Sequence, residues 1–180
     1  MQTVTITPSF ESCLLYKSWR DAARRLLASL TPPEAVFWQD ATEGDTLFSE
    51  PISRVLEPAP ESNAPRSSSE QKATQPKVPA AFLQIAQTAA AHRDPRRWAV
   101  LYRILWRISV KGERHLLQQV TDSEVRQVQQ WCKNVGREIH KMHAFVRFRL
   151  VGVHAESGRE QFVAWFEPEH RVVRLAAGFF

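Results

Sequence analysis

Between Ser49 and Val78 the chain reads SEPISRVLEPAPESNAPRSSSEQKATQPKV, thirty residues with five prolines and no aromatic side chain. Such a run cannot bury enough apolar surface to offset the entropy lost on ordering, so it is expected to be a disordered linker or long surface loop. It splits the foldable sequence into an N-terminal part, residues 1–48, and a basic C-terminal part, residues 79–180. With 180 residues, 43% of them hydrophobic and six Trp and ten Phe among them, the two parts suffice for one domain with a real core.

The N-terminal part predicts strand, helix, strand. TVTIT at 3–7 alternates apolar and β-branched residues, as a strand does. From Phe10 to Leu30 the apolar residues Leu15, Trp19, Ala22, Ala23, Leu26 and Leu27 recur at threes and fours, which is helical. Thr31-Pro32-Pro33 stops that helix, because proline cannot continue the hydrogen-bond ladder, and AVFWQD at 35–40 reads as a second strand. Two strands joined through a helix suit a parallel pair.

After the linker, PAAFLQIAQTAAAH predicts a helix with Phe82, Ile85, Ala86 and Ala89 on one side. Asp94-Pro95 is a helix start, followed by a helix that buries Trp98, Leu101, Tyr102, Leu105 and Ile108. On its other side Arg96, Arg103 and Arg107 fall within about 40° of arc, a basic stripe. Thr121 with Glu124 fits a capping box, opening a helix whose seam is Val125, Val128, Trp131, Cys132, Val135, Ile139 and Met142. Opposite the seam lie Arg126, Lys133, Arg137, His140 and Lys141 within about 100°. HAFVRFRLVGV then switches to period two, with Ala144, Val146, Phe148 and Leu150 on one face and Phe145, Arg147, Arg149 and Val151 on the other. A turn over residues 154–159, a returning strand EQFVAWFE and a last helix from Pro168 complete an α+β fold, in which helices pack on a short antiparallel sheet. The paired Phe179 and Phe180 at the end suggest a chain truncated at its C-terminus.

The net charge of +5 is lopsided. Residues 92–180 hold sixteen Lys and Arg against nine Asp and Glu, whereas residues 1–91 hold eight against ten. A positive field confined to one half favours a polyanionic partner, most often nucleic acid. No apolar run of about eighteen residues exists to span a membrane, and the N-terminus lacks the basic and apolar regions of a secretory signal. Cys13 and Cys132 are far apart and form no zinc pattern, which points to a reducing, cytoplasmic setting. GxSxG, Walker-type and GxGxxG motifs are missing.

The stretch REIHKMHAFVRFR, residues 137–149, concentrates the chemistry. His140 and His143, with Glu167, Glu169 and His170 further on, have the donor types of a divalent-metal or acid–base site. Against a metal stand Arg137, Lys141 and Arg147, which would surround a dication with like charge. Phosphate binding asks for less: guanidinium and ammonium groups on phosphate oxygens, histidine as a further donor, and an aromatic face such as Phe145. In that reading Arg96, Arg103, Arg107, Lys133, Arg137, Lys141, Arg147 and Arg149 engage phosphates, with His140, His143 and Phe145 nearest any base.

HRDPRRWAVLYRILWRI, REIHKMHAFVRFR and QFVAWFEPEHRVVRLAAGFF together resemble a bacterial domain of unknown function associated with DNA repair. The likeness covers residues 79–180 closely and 1–40 more loosely, through TVTITPSF and WRDAARRLL. That family occurs beside a radical-SAM partner, or fused ahead of a UdgX-type uracil-DNA glycosylase. The resemblance implies an accessory DNA-binding role next to uracil excision, with DNA and one of those proteins as partners, and supplies no reaction. Nothing here resembles the glycosylase's active site or cluster-ligating cysteines, so no cofactor is expected in this chain. The alternatives are an enzyme acting on nucleic acid through the histidines and glutamates, with or without a divalent metal, and a module that docks a repair partner through its apolar end.

Overall fold

The computed structural model describes residues 1–6, 15–40 and 78–180. The expected linker, save for Val78, lies outside these residues, as do Thr7 and residues 10–14 with Cys13. The class is α+β and mostly helical: β1 (Gln2–Ile6), α1 (Leu15–Ala28), β2 (Val36–Asp40), α2 (Ala80–Ala89), α3 (Arg97–Ser109), α4 (Ser123–Phe145), β3 (Arg149–Val153), β4 (Glu160–Val163) and α5 (Val173–Ala177).

β1 and β2 pair in parallel, Gln2 opposite Val36 and Ile6 opposite Asp40, as the strand–helix–strand reading requires. α1 buries the six residues its periodicity singled out. It ends at Ala28, just ahead of Thr31-Pro32-Pro33, and the backbone closes it there. The Thr31 amide bonds to the Leu26 carbonyl at 2.9 Å and the Leu30 amide to Leu27 at 3.1 Å. Leu30 takes φ of 51° between them. That is a Schellman closure with leucine in the left-handed position where glycine is usual.

α1, α2, α3 and α4 enclose a core rich in aromatic rings. Trp19 lies 6.2 Å from Trp98, 6.5 Å from Phe82 and 6.3 Å from Trp38 between ring centres. The Trp19 indole donates to the Trp98 carbonyl at 3.3 Å and the Tyr102 hydroxyl to the Thr31 carbonyl at 2.7 Å, which satisfies the polar ends of those two rings. A second, smaller cluster joins Val135, Met142 and Val146 to Ala91, Val172 and Ala176. Cys132, expected to be buried, is half-buried, and burial pushes its thiol up to about 11.

Several boundaries differ from the sequence reading. α3 begins at Arg97, with Asp94 and Pro95 in the turn before it, and β4 ends at Val163, short of the expected Glu167. The cap of α4 is Asp122, whose carboxylate accepts from the Glu124 and Val125 amides at 3.0 Å each, and not Thr121. α4 runs on to Phe145, so the period-two alternation of residues 143–148 does not form a strand. Met142 and Val146 bury in the second cluster, and that contact holds the last turn helical against its β-like pattern. Finally, α5 begins at Val173, not Pro168. Residues 169–171 are instead tied down by their backbone, the Glu169 amide to the Glu138 carboxylate at 3.2 Å and the Arg171 amide to the Ala91 carbonyl at 2.9 Å. β3 and β4 pair antiparallel with an irregularity between Leu150 and Gly152, and the turn between them uses Gly158 at φ of 64°. Apart from half-buried Gly152, every residue of this hairpin is exposed.

Candidate nucleic-acid interface

The three arginines of the α3 stripe do share a side, but each meets carboxylate. Arg96 pairs with Asp94 at 2.7 Å, holding the Asp94 carboxyl below its usual range. Arg103 pairs with Glu124. Arg107 meets Glu113 and Asp122 at 2.8 Å and Glu124 at 3.3 Å, and the hydrogen bonds it donates to Glu113 raise its own pKa. Burial alone would push the Asp122 carboxyl up, but the Val125 amide and Arg107 outweigh it and the shift is downward. Arg107 thus ties the end of α3 to the loop before α4 and to the α4 cap. The Arg103 and Arg107 pairs brace α3 to α4 and the loop before it, the Arg96 pair is local to the turn before α3, and in all three the charge is already matched.

α4 is different. Its acids are Glu124 and Glu138. Glu124 is half-buried against the α3 arginines and Glu138 is 6% exposed. The outward face carries Arg126, Lys133, Arg137 and His140, all exposed, over a length of about 21 Å at 1.5 Å per residue. Among the described residues none of these four has an ion-pairing carboxylate within 4.0 Å. Lys141, at the edge of the same face, reaches Glu138 at 3.3 Å while its side chain stays 57% exposed. Past the helix end, Arg147 donates to the Ala144 and Val146 carbonyls at 2.8 and 3.0 Å, which suits a cation at a helix C-terminus. Arg149 opens β3, exposed, and Phe145 is 68% exposed.

The five acid–base candidates do not assemble. His140 stands on the outer face of α4. His143 stacks on Phe179, ring centres 4.1 Å apart, in an aromatic cluster with Phe180 and Phe148. Glu167, Glu169 and His170 instead line an open cleft of about 820 Å³ whose wall includes His92, Glu138 and Lys141. There the His170 ring lies 4.1 Å from His92. Burial, and then His170, lower the pKa of His92 to about 4, so it is neutral near pH 7. Its Nδ1 accepts from the Asp94 amide at 3.1 Å, which places the ring proton on Nε2. Among the described residues no three His, Cys, Asp or Glu side chains gather as ligands of a metal ion would.

The sequence reading passed over His92 and Glu138, which line the cleft, and a fully buried ion pair. Asp40, the last residue of β2, accepts from Arg97 and, at 2.6 Å, from the Trp98 indole, with Arg171 at 3.5 Å. The Arg97 and Asp40 side chains are 0% and 1% exposed. Glu138 was legible: its helical angle falls inside the α4 seam, next to Trp131 and Met142. His92 and Asp40 were not, since their partners are brought together from distant parts of the chain.

Residues 95–180 match the family model of a domain of unknown function (DUF4130). The matched part holds α3, α4, the hairpin and α5, while β1, α1, β2 and α2 fall outside it. No curated protein and no solved structure matches the chain. Among the described residues no helix is long and apolar enough to cross a membrane.

Proposed function

We propose that this chain binds nucleic acid along the outer face of α4, with Arg126, Lys133, Arg137 and His140 on the phosphates and Arg147 and Arg149 extending the contact past the helix end. The observation that carries the reading is the carboxylate-free face itself: cations at one helical angle, exposed and without acidic partners. Guanidinium and ammonium groups so placed gain affinity by releasing the counterions condensed on a polyanion. The sequence resemblance adds the setting, an accessory role in bacterial DNA repair beside a radical-SAM protein or a uracil-DNA glycosylase.

The test is a salt titration of binding to fluorescently labelled duplex DNA. Log affinity should fall with log salt at about −0.9 per phosphate contacted, and Arg137→Ala and Arg147→Ala should each shallow the slope by about one unit. An affinity indifferent to salt overturns the reading.

The cleft supports a second reading, acid–base chemistry on nucleic acid by His170 with Glu167 or Glu169, because those three line one wall beside the neutral His92. Strand cleavage or base release by the wild-type chain, abolished in His170→Ala and retained in His143→Ala, would establish it. Equal activity in both variants, or none in wild type, removes it.

A further inference from the structure

The hairpin is exposed in an unusual way. Leu150 at 56%, Val153 at 59%, Phe162 at 53% and Val163 at 58% face solvent, and Trp165 just beyond β4 is 86% exposed. A lone two-stranded ladder is marginal in water, and large apolar side chains left open on it mark a contact surface. Two features of this surface select its occupant. The first is its cations: β3 is entered through Arg147-Phe148-Arg149, a ring flanked by two guanidinium groups, with Phe145 one turn back at the end of α4. The second is continuity. His140, the last residue named on the α4 face, is nine residues from Arg149, and α4 continues to Phe145 between them.

We infer that the hairpin and its root form a stacking platform for unpaired bases, so that the preferred ligand is single-stranded nucleic acid. The inference rests on the reading that α4 holds the phosphate backbone. Rings and guanidinium planes are sequence-tolerant partners for the faces of bases, and a duplex keeps those faces inside its own stack. Phe145, Phe148, Phe162 and Trp165 are the rings offered, and Arg147 and Arg149 keep the backbone beside them. A purely apolar partner would leave those two arginines without a counter-charge.

Trp165 also supplies the readout. Trp19, Trp38, Trp98 and Trp131 are buried and Trp106 is half-buried, so quenching by a bound base reports on Trp165 before any other indole. The full chain is titrated with an oligothymidylate of about fifteen nucleotides, a duplex of the same length, and an abasic oligonucleotide that keeps the phosphates and lacks the bases. The expected result is tightest binding and fluorescence quenching with the oligothymidylate. Trp165→Ala should weaken that binding roughly five- to 150-fold, the range for one lost stack, and leave the abasic strand unaffected. Phe162→Ala should act in the same direction.

If the oligothymidylate and the duplex bind equally, and Trp165→Ala changes neither while Arg137→Ala still shallows the salt slope, the platform is overturned and the α4 reading survives. If no nucleic acid binds, both fall. A concentration-dependent dimer in sedimentation that is lost in Trp165→Ala would make the surface a self-contact and overturn the platform as well.

Discussion

α3 and α4 place their outward cations at the same intervals, Arg96, Arg103 and Arg107 on one and Arg126, Lys133 and Arg137 on the other. Their electrical conditions are nevertheless opposite. The α3 arginines are matched by Asp94, Glu113, Asp122 and Glu124, while the α4 cations stand clear of carboxylate. Spacing on a helix decides which way a side chain points. What it meets there is decided by the loops and neighbouring helices that the fold carries in, and three of the four neutralising acids come from the loop before α4 and its first turn. A basic stripe is a binding surface only where no such acids arrive.

The comparison breaks most sharply at the arginine of α3 that is fully buried. Arg97→Ala or Asp40→Ala should cost about 3–5 kcal/mol in denaturant unfolding, because a buried charge loses its directly hydrogen-bonded partner. The surviving folded protein should keep the wild-type salt slope for nucleic acid. Next, Arg126→Ala with Lys133→Ala should shallow that slope by about two units and change stability by no more than about 0.5 kcal/mol. Arg107→Ala should do the reverse, lowering stability by about 1–2 kcal/mol, allowing for its partial exposure, without touching the slope.

Acid titration separates two further sources of stability. The folded chain holds His92 at about 4, below its ordinary 6.5, so between those values the unfolded chain takes up a proton that the folded chain refuses. Stability should therefore fall as pH drops from about 6.5 to about 4, and His92→Gln should flatten that limb. The depressed Asp94 and Asp122 carboxyls give their contribution up only on further acidification, below their ordinary 3.8, so the two limbs are distinct in a melting-temperature profile. Smallest of all, Arg96→Ala removes a solvent-exposed partner and should barely move the melting temperature near pH 7, while weakening the Asp94 part of the acid limb.

The parallel pair and the buried face of α1 could be read directly, because alternation and a 3.6-residue period each leave one solution when bounded by Thr31-Pro32-Pro33. Residues 143–148 misled for the opposite reason. Their alternation is genuine, but the burial of Met142 and Val146 under Val172 and Ala176 outweighs it. Thr121 and Asp122 are both good caps, and only the position of the Glu124 and Val125 amides selects the second. At the site, the outward direction of the α4 cations was legible and the neutralisation of the α3 arginines was not. Glu124 and Arg103 are 21 residues apart, and neither residue announces the other. His143 and His170 were grouped by donor type as candidates for one site, whereas the ring that His170 meets belongs to His92, from the other end of the C-terminal half. The exposure of the hairpin was equally hidden, since apolar strands read alike whether or not anything lies over them.

The contact between Asp40 and Arg97 crosses the edge of the family match, which starts at residue 95. A piece cut at that edge would carry a guanidinium stripped of its counter-ion and an indole at Trp98 stripped of its acceptor. The stretch drawn by likeness is therefore smaller than the stretch over which the buried charges are matched.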